Sequence, residues 1–358
     1  MKKIFIKKTF VYSLIICFWI LILGLFLFSS HIFSLFKRQK SITVFTYPLL
    51  IDAEYITRFE KQTGIKVYIN YFESSDELLV KLKDSNTSDY DIIFPTDYTV
   101  EILAKKNLLR KIDKSKIDFW HKMNQKLTNL YYDPNNLYSI PYLWDVYGIG
   151  IDKKYYDGTR PIKKTWDLLF DEKVAPPRVG MINNPREALL LSAFYLFRKI
   201  DNFSKDEVDQ MKKLLIKQKK WVDVYTDLRV DDLLTSGTCQ ATAGLGSDIW
   251  QEQRFNQDID FFIPEEGSFF IVDSICLPKG SKKQDLAYQF INFLFQEESL
   301  EYHIENFFFF PTINTLNLGS AAKNMMNYML NNMNKYYFFK NVLTDEQLHY
   351  LWIQLKGQ

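Results

Sequence analysis

From Ser41 onward the chain exchanges strand-like and helix-like patterning in regular succession, and few folds accept such an order. Ile42 to Tyr47 reads as a strand. Asp52 to Thr63 follows with Tyr55, Ile56 and Phe59 at helical spacing, and Gly64 is placed to close that helix. Ile65, Val67, Ile69 and Tyr71 then alternate as a strand, Ser75 to Lys83 is helical, and Tyr90 to Phe94 is a short buried strand ended by Pro95. A β-α-β-α-β order implies a parallel sheet with helices on both faces.

After the turn-rich Asp133-Pro-Asn-Asn136 come two strand-like runs, Tyr138–Tyr142 and Val146–Ile151. A second β/α region follows. Thr165–Phe170, Pro185–Lys199 and Lys205–Lys219 read as helices, with Ser204 and Glu207 spaced as a capping box. Val179–Asn183, Trp221–Tyr225, Cys239–Gly244 and Ile259–Ile263 read as strands. Phe269–Pro278 reads as a crossing strand that returns to the first region, and helices at Lys282–Phe295 and Thr344–Lys356 close the chain. The expected organisation is an α/β protein with one lobe inserted in another, joined by two chain crossings that serve as a hinge. Lobe 1 takes residues 41–144 and the return segment 273–358, which includes the C-terminal helices; lobe 2 takes 145–272.

Residues 1–40 stand apart. Lys2, Lys3, Lys7 and Lys8 precede an apolar run from Phe10 to Phe28. About 19 apolar residues are just enough to span a bilayer as a helix. The run is longer than a usual signal-peptide core, and no A-x-A cleavage site follows it. It reads as an uncleaved membrane anchor, with a removed signal peptide as the alternative. The early lysines place the amino terminus inside and the remainder outside the membrane.

This segment also distorts the charge count. It holds seven of the chain's 45 Lys and Arg and none of its 43 Asp and Glu, so the rest carries a formal net charge of about −5. That is no basic footprint for nucleic acid. Beyond the anchor only Cys239 and Cys276 remain, both in apolar strand-like runs, and they read as buried free thiols. The four histidines lack metal-ligand spacing, and neither a G-x-S-x-G motif nor a Cys/His constellation is present. Neither a cofactor, a metal nor an enzymatic activity is expected.

Several segments resemble the spermidine/putrescine-binding proteins of ABC-type polyamine importers: FEKQTGIKV (59–67), YDIIFPTDYTV (90–100), LLRKIDKSKI (108–117), DPNN (133–136), SIPYLWDVYGIGI (139–151), PRE (185–187), VDSICLP (272–278) and PTIN (311–314). The resemblance implies a type II periplasmic-binding-protein fold, monomeric and extracytoplasmic, that holds a polyamine between its lobes and delivers it to a membrane permease with its ATPase. Carried over residue by residue, it implies ligand contacts at Tyr47, Thr96, Tyr98, Asn184, Glu187 and Asp273. Asn184 stands where the family has aspartate. Leu50, Ile271 and a position near Leu245 stand where it has aromatic residues.

Elementary chemistry asks for the same kinds of residue. A polyamine is a methylene chain carrying ammonium groups, so it needs separated carboxylates and apolar or aromatic walls. Asp97, Asp145 and Asp248 could add carboxylates, and Trp144, Trp250 and Phe270 could add ring faces. Structural explanations compete at some positions. Asn184, Pro185 and Glu187 also fit the cap, first and third positions of a helix. Thr96 and Tyr98 could cap the next helix, and Trp144 could be a packed hinge ring. Another small organic cation, an amino-acid-like solute, or a role as an anchored sensor ectodomain remains an alternative.

Overall fold

Strand β1 (Ser41–Thr46) runs parallel to β2 (Lys66–Tyr71) on one side and β3 (Ile92–Ile93) on the other, which is the parallel arrangement the alternation predicts. A computed structural model describes residues 18–23, 39–48, 50–85, 87–156, 162–227, 229–314 and 319–357 of the chain. Helix α1 (Ala53–Thr63) starts where the Asp52 carboxylate accepts from the Glu54 N–H, and it stops at Gly64 with φ +69°, the left-handed position that glycine adopts without strain. Helix α2 (Ser75–Asp84) is capped by Ser74 and leads to β3, after which α3 (Asp97–Lys105) begins.

The strand order is β2-β1-β3-β9-β4-β7-β5-β6. Its centre is β4 (Ser139–Asp152), one 14-residue strand where two separate strands are expected from the sequence. Trp144 and Asp145, which lie between the two apolar runs, are themselves buried in the strand. Pro141, lacking an N–H, coincides with a register shift and not with a break. The first part of β4 pairs antiparallel with β9 (Ser268–Cys276). The last part pairs with β7 (Ala241–Leu245) and β8 (Ile259–Phe262). The second sheet is completed by β5 (Val179–Met181) and β6 (Val222–Tyr225), both in parallel pairings. Helices α4 (Asp167–Phe170), α5 (Pro185–Phe197) and α6 (Lys205–Gln218) accompany it, the last with the capping box of Ser204 and Glu207. So do α7 (Val230–Thr235) and α8 (Gly246–Gln253).

After β9 the chain returns through α9 (Gln284–Leu294), α10 (Glu297–Phe307), β10 (Phe310–Pro311, on β4) and α11 (Ser320–Asn331). Strand β11 (Tyr336–Phe338) pairs with the start of β9. The final helix α12 (Asp345–Lys356) then packs on α5 and α6 of the second lobe, burying Leu348, Leu351 and Leu355. The segment between β11 and α12 is therefore a third chain crossing, beside the two expected through β4 and β9.

Cys239 and Cys276 are free and buried, as their apolar surroundings suggest. The anchor or signal expected over 1–40 lies outside the described residues except for a helical stretch at 18–23, whose Phe18, Trp19 and Leu23 side chains are exposed. Among the described residues no helix is long and apolar enough to cross a membrane.

Candidate functional site

The site begins at the first turn of α5. Asn184 is its cap: the side-chain oxygen accepts from the N–H groups of Arg186 (3.0 Å) and Glu187 (3.4 Å), and Pro185 occupies the first helical position. With those donors satisfied, the Glu187 carboxylate is released from capping and turns toward the other lobe. Its Oε1 accepts from Tyr98 Oη at 3.0 Å and Asn184 Nδ2 at 3.2 Å, while Oε2 accepts from Tyr147 Oη. Asn184 Nδ2 also donates to Tyr98 Oη at 2.9 Å. The capping explanation of the Asn-Pro-Arg-Glu run holds through Asn184 and Pro185, and it leaves the Glu187 carboxylate uncommitted to the helix end.

Tyr98 comes from the first turn of α3 in the facing lobe and is buried. Thr96, the cap residue of that helix, makes no capping hydrogen bond. Its hydroxyl instead pairs with Thr99 Oγ1 at 3.0 Å. Thr99 donates to Ser75 Oγ at 2.8 Å, and Ser75 meets both Tyr98 Oη (3.4 Å) and Tyr47 Oη (3.2 Å). A chain of hydroxyls thus runs from Thr96 to Glu187 and includes the half-buried Tyr47. The Arg186 guanidinium lies 4.8 Å from the Tyr98 ring centroid but is committed to Asp345 at 3.0 Å.

Sequence reasoning misses Ser75, Thr99 and Tyr147. Ser75 and Thr99 look like ordinary first-turn residues, and Tyr147 like another apolar strand position. Only the fold, which brings the last part of β4 against the first turn of α5, sets that phenol on the Glu187 carboxylate.

Asp273 projects from β9 where the chain bridges to Thr96, close to the hydroxyl chain. It is partly exposed, and burial, then the charges of Asp145 and Glu187, push its carboxyl up to about 8. Glu187 is pushed up to about 7, mainly by burial and then by the charge of Asp227. Asp97 is fully buried: one oxygen accepts from the Tyr98 N–H at 2.6 Å and the other has no partner. Its carboxyl is held well above the ordinary range by burial, with Asp273 and Glu187 adding to the effect. Asp248, on the first turn of α8, is pushed up to about 8 by burial and by Asp145 and Asp231. The carboxylates are therefore linked in series, Asp248 to Asp145, Asp145 to Asp273, and Asp273 to Glu187 and Asp97, and among the described residues none is ion-paired with Lys or Arg. No group of residues suited to a metal ion occurs among the described residues.

The structure puts the substitute rings elsewhere. Trp144 is fully buried, stacked on Phe270 with centroids 5.0 Å apart, and donates to the Pro311 carbonyl. Trp250 packs edge-on against Phe261. These three rings fill the hinge core. The aromatic surface near the carboxylates is the phenol set of Tyr47, Tyr98 and Tyr147.

Comparison with known proteins follows the same lines. The chain is 28% identical over 301 residues to the putrescine-binding periplasmic protein of Escherichia coli, covering 78% of this chain and 80% of that one. It is 27% identical over 262 residues to the spermidine/putrescine-binding periplasmic protein of Salmonella typhimurium, covering 68% and 69%. Its fold matches a spermidine/putrescine ABC transporter substrate-binding protein of Streptococcus pneumoniae (TM-score 0.72, 23% identity, 89% of this chain and 99% of that one). It also matches a lipoprotein of Treponema pallidum (TM-score 0.75, 22% identity, 89% and 100%). Residues 54–327 match the model of the bacterial extracellular solute-binding proteins, and the chain belongs to that family.

Proposed function

We propose that this protein is the receptor of an ABC importer for polyamines, which it binds between its lobes and hands to a membrane permease and its ATPase. The observation that carries the reading is the acidic crevice. Asp97, Asp145, Glu187, Asp248 and Asp273 form an electrostatically linked series, each acting on its neighbour in the series, and among the described residues none of them makes an ion pair with Lys or Arg, although the Arg186 charge acts on Glu187. Such a cluster is costly when empty, and a solute that brings two or more ammonium groups supplies the missing counter-charge. Tyr47, Tyr98 and Tyr147 provide walls for the methylenes and faces for the cations. The names of the relatives support the same class of solute.

In this reading Glu187 and Asp273 receive ammonium groups, Tyr47 and Tyr98 line the chain of the ligand, and Thr96 and Asn184 hold those groups in place through the hydroxyl network. The amino-terminal apolar run tethers the monomeric receptor to the outer face of the cytoplasmic membrane. Calorimetry with putrescine, spermidine, arginine and a neutral sugar tests the proposal. Micromolar or tighter binding of a diamine or triamine is expected; tight binding of the sugar with polyamines inert would sink it. Retention of the protein in membranes after alkaline carbonate extraction is expected for the tether, and its release would refute that part.

A further inference from the structure

Helix α8 begins without a cap of its own. Leu245 holds the cap position, and its side chain cannot accept a hydrogen bond. The missing acceptor arrives from another segment: Asp145, on β4 where that strand leaves one sheet for the other, accepts from the Ser247 N–H through Oδ2 at 2.9 Å. The Ser247 hydroxyl is buried and has no hydrogen-bond partner. The other Asp145 oxygen accepts from the Val146 N–H at 2.7 Å. Asp145 is 2% exposed.

A neutral acceptor would cap the helix equally well. Asparagine and serine rank with aspartate at this position. The chain instead keeps a carboxylate in a corner that already holds others. Asp248 follows on the first turn of α8, and Asp273 on β9 pairs with Leu143, two residues from Asp145 along β4; both feel its charge. Beyond these, Asp231 on α7 acts on Asp248, Glu187 on α5 acts on Asp273, and Asp97 at the start of α3 senses Asp273. Among the described residues no Lys or Arg pairs with Asp145, Asp248 or Asp273. The N-terminal dipole of an eight-residue helix offsets only part of that repulsion.

We infer that Asp145 is a positioning and specificity-determining residue, which fixes the first turn of α8 from the hinge and adds the negative charge that makes this corner select a cationic group. It touches no ligand itself. It orients Asp248 toward the crevice and makes the corner unfavourable when empty, so that a cation entering between Asp248 and Asp273 gains more than two carboxylates alone would provide. The inference rests on the proposed binding of cationic solutes.

The discriminating variant is Asp145→Asn, which keeps an oxygen for the helix N–H groups and removes the charge; Asp145→Ala removes both. Titration with putrescine at pH 7.5, in buffers of different ionisation enthalpy, measures affinity and the protons released together. Asp145→Asn is expected to bind about tenfold more weakly and to release fewer protons, while melting no lower than the parent. Asp145→Ala is expected to melt lower as well. Wild-type affinity and proton release in Asp145→Asn would overturn the inference and leave only a helix cap.

A ligand-free arm keeps the two readings apart. Melting temperature is followed from pH 5 to 8, and the decline across that range is expected to be smaller in Asp145→Asn than in the parent. An identical decline refutes the coupling of Asp145 to its neighbours, whatever the protein binds. Failure of the parent to bind any polyamine would refute the proposed solute, with the melting series still deciding the role of Asp145.

Discussion

Glu187 shows how a side chain on the first turn of a helix can be spared the task of capping it. Its place on the first turn of α5 suits a capping contact, yet Asn184 supplies the cap and the carboxylate is passed to Tyr98 and Tyr147. Glu187→Gln keeps the shape and removes the charge. It should weaken diamine binding at least 30-fold in calorimetry, since removing one partner of a desolvated charge pair costs about 2–5 kcal/mol. Asp273→Asn should weaken it similarly, whereas Arg186, held by Asp345, should affect binding through the Tyr98 ring and through its charge on Glu187. Asn184→Ala should cost about 1 kcal/mol of stability from the lost cap alone, measurable by urea unfolding.

At the level of elements, the two lobes touch at more than the crevice. Arg254, just beyond α8, donates to the Asn306 carbonyl at 2.8 Å and also to that of Glu305. It lies 4.6 Å from the ring centroid of Phe308, and Gln251 donates to the Asn306 carbonyl at 3.0 Å. These donors meet the carbonyl end of α10, where positive charge is favoured. Arg254→Ala should open the ligand-free ensemble, seen as a larger radius of gyration in solution scattering, and weaken binding several-fold. An unchanged scattering profile would show that this contact does not hold the lobes together. Helix α12 belongs to the second lobe by packing, not by its place in the sequence. Leu348→Ala, at a 3% exposed position, should cost about 2–4 kcal/mol in urea unfolding.

For the molecule as a whole, the raised carboxylates tie stability, solute and pH together. Glu187 and Asp145 are held at about 7 and Asp248 and Asp273 at about 8, all above the ordinary carboxylate range. A carboxyl raised in the folded state favours folding while it is protonated, and that contribution is lost as pH rises through the raised value. The ligand-free melting temperature should therefore fall between about pH 5 and 8. A bound cation favours the ionised forms, so putrescine should restore the lost stability, bind more tightly as pH rises through 7, and expel protons. Melting curves with and without putrescine at pH 5, 6, 7 and 8 check the sign, and a gain from ligand that shrinks with rising pH would contradict it. Solute between the lobes would also shift the ensemble toward the closed form that a permease can recognise.

Local rules reached far along this chain. The helix ends at Asp52, Gly64, Ser204 and Thr344 depend on short-range hydrogen bonds and backbone torsions, so their residues announce them. The parallel β1-β2-β3 order follows from connection length. The quoted motifs already placed Tyr98, Glu187 and Asp273 together as expected contacts. What sequence distance conceals is which side chains share a volume. The continuity of β4 through Trp144 and Asp145, the docking of α12 on the second lobe, the passage of Trp144, Trp250 and Phe270 into the core, and the capping of α8 by a residue about a hundred positions earlier all depend on long-range packing. Burial and charge proximity arise only when the two sheets meet across the hinge, and those are the quantities that make an ordinary set of acids into a candidate receptor for cations.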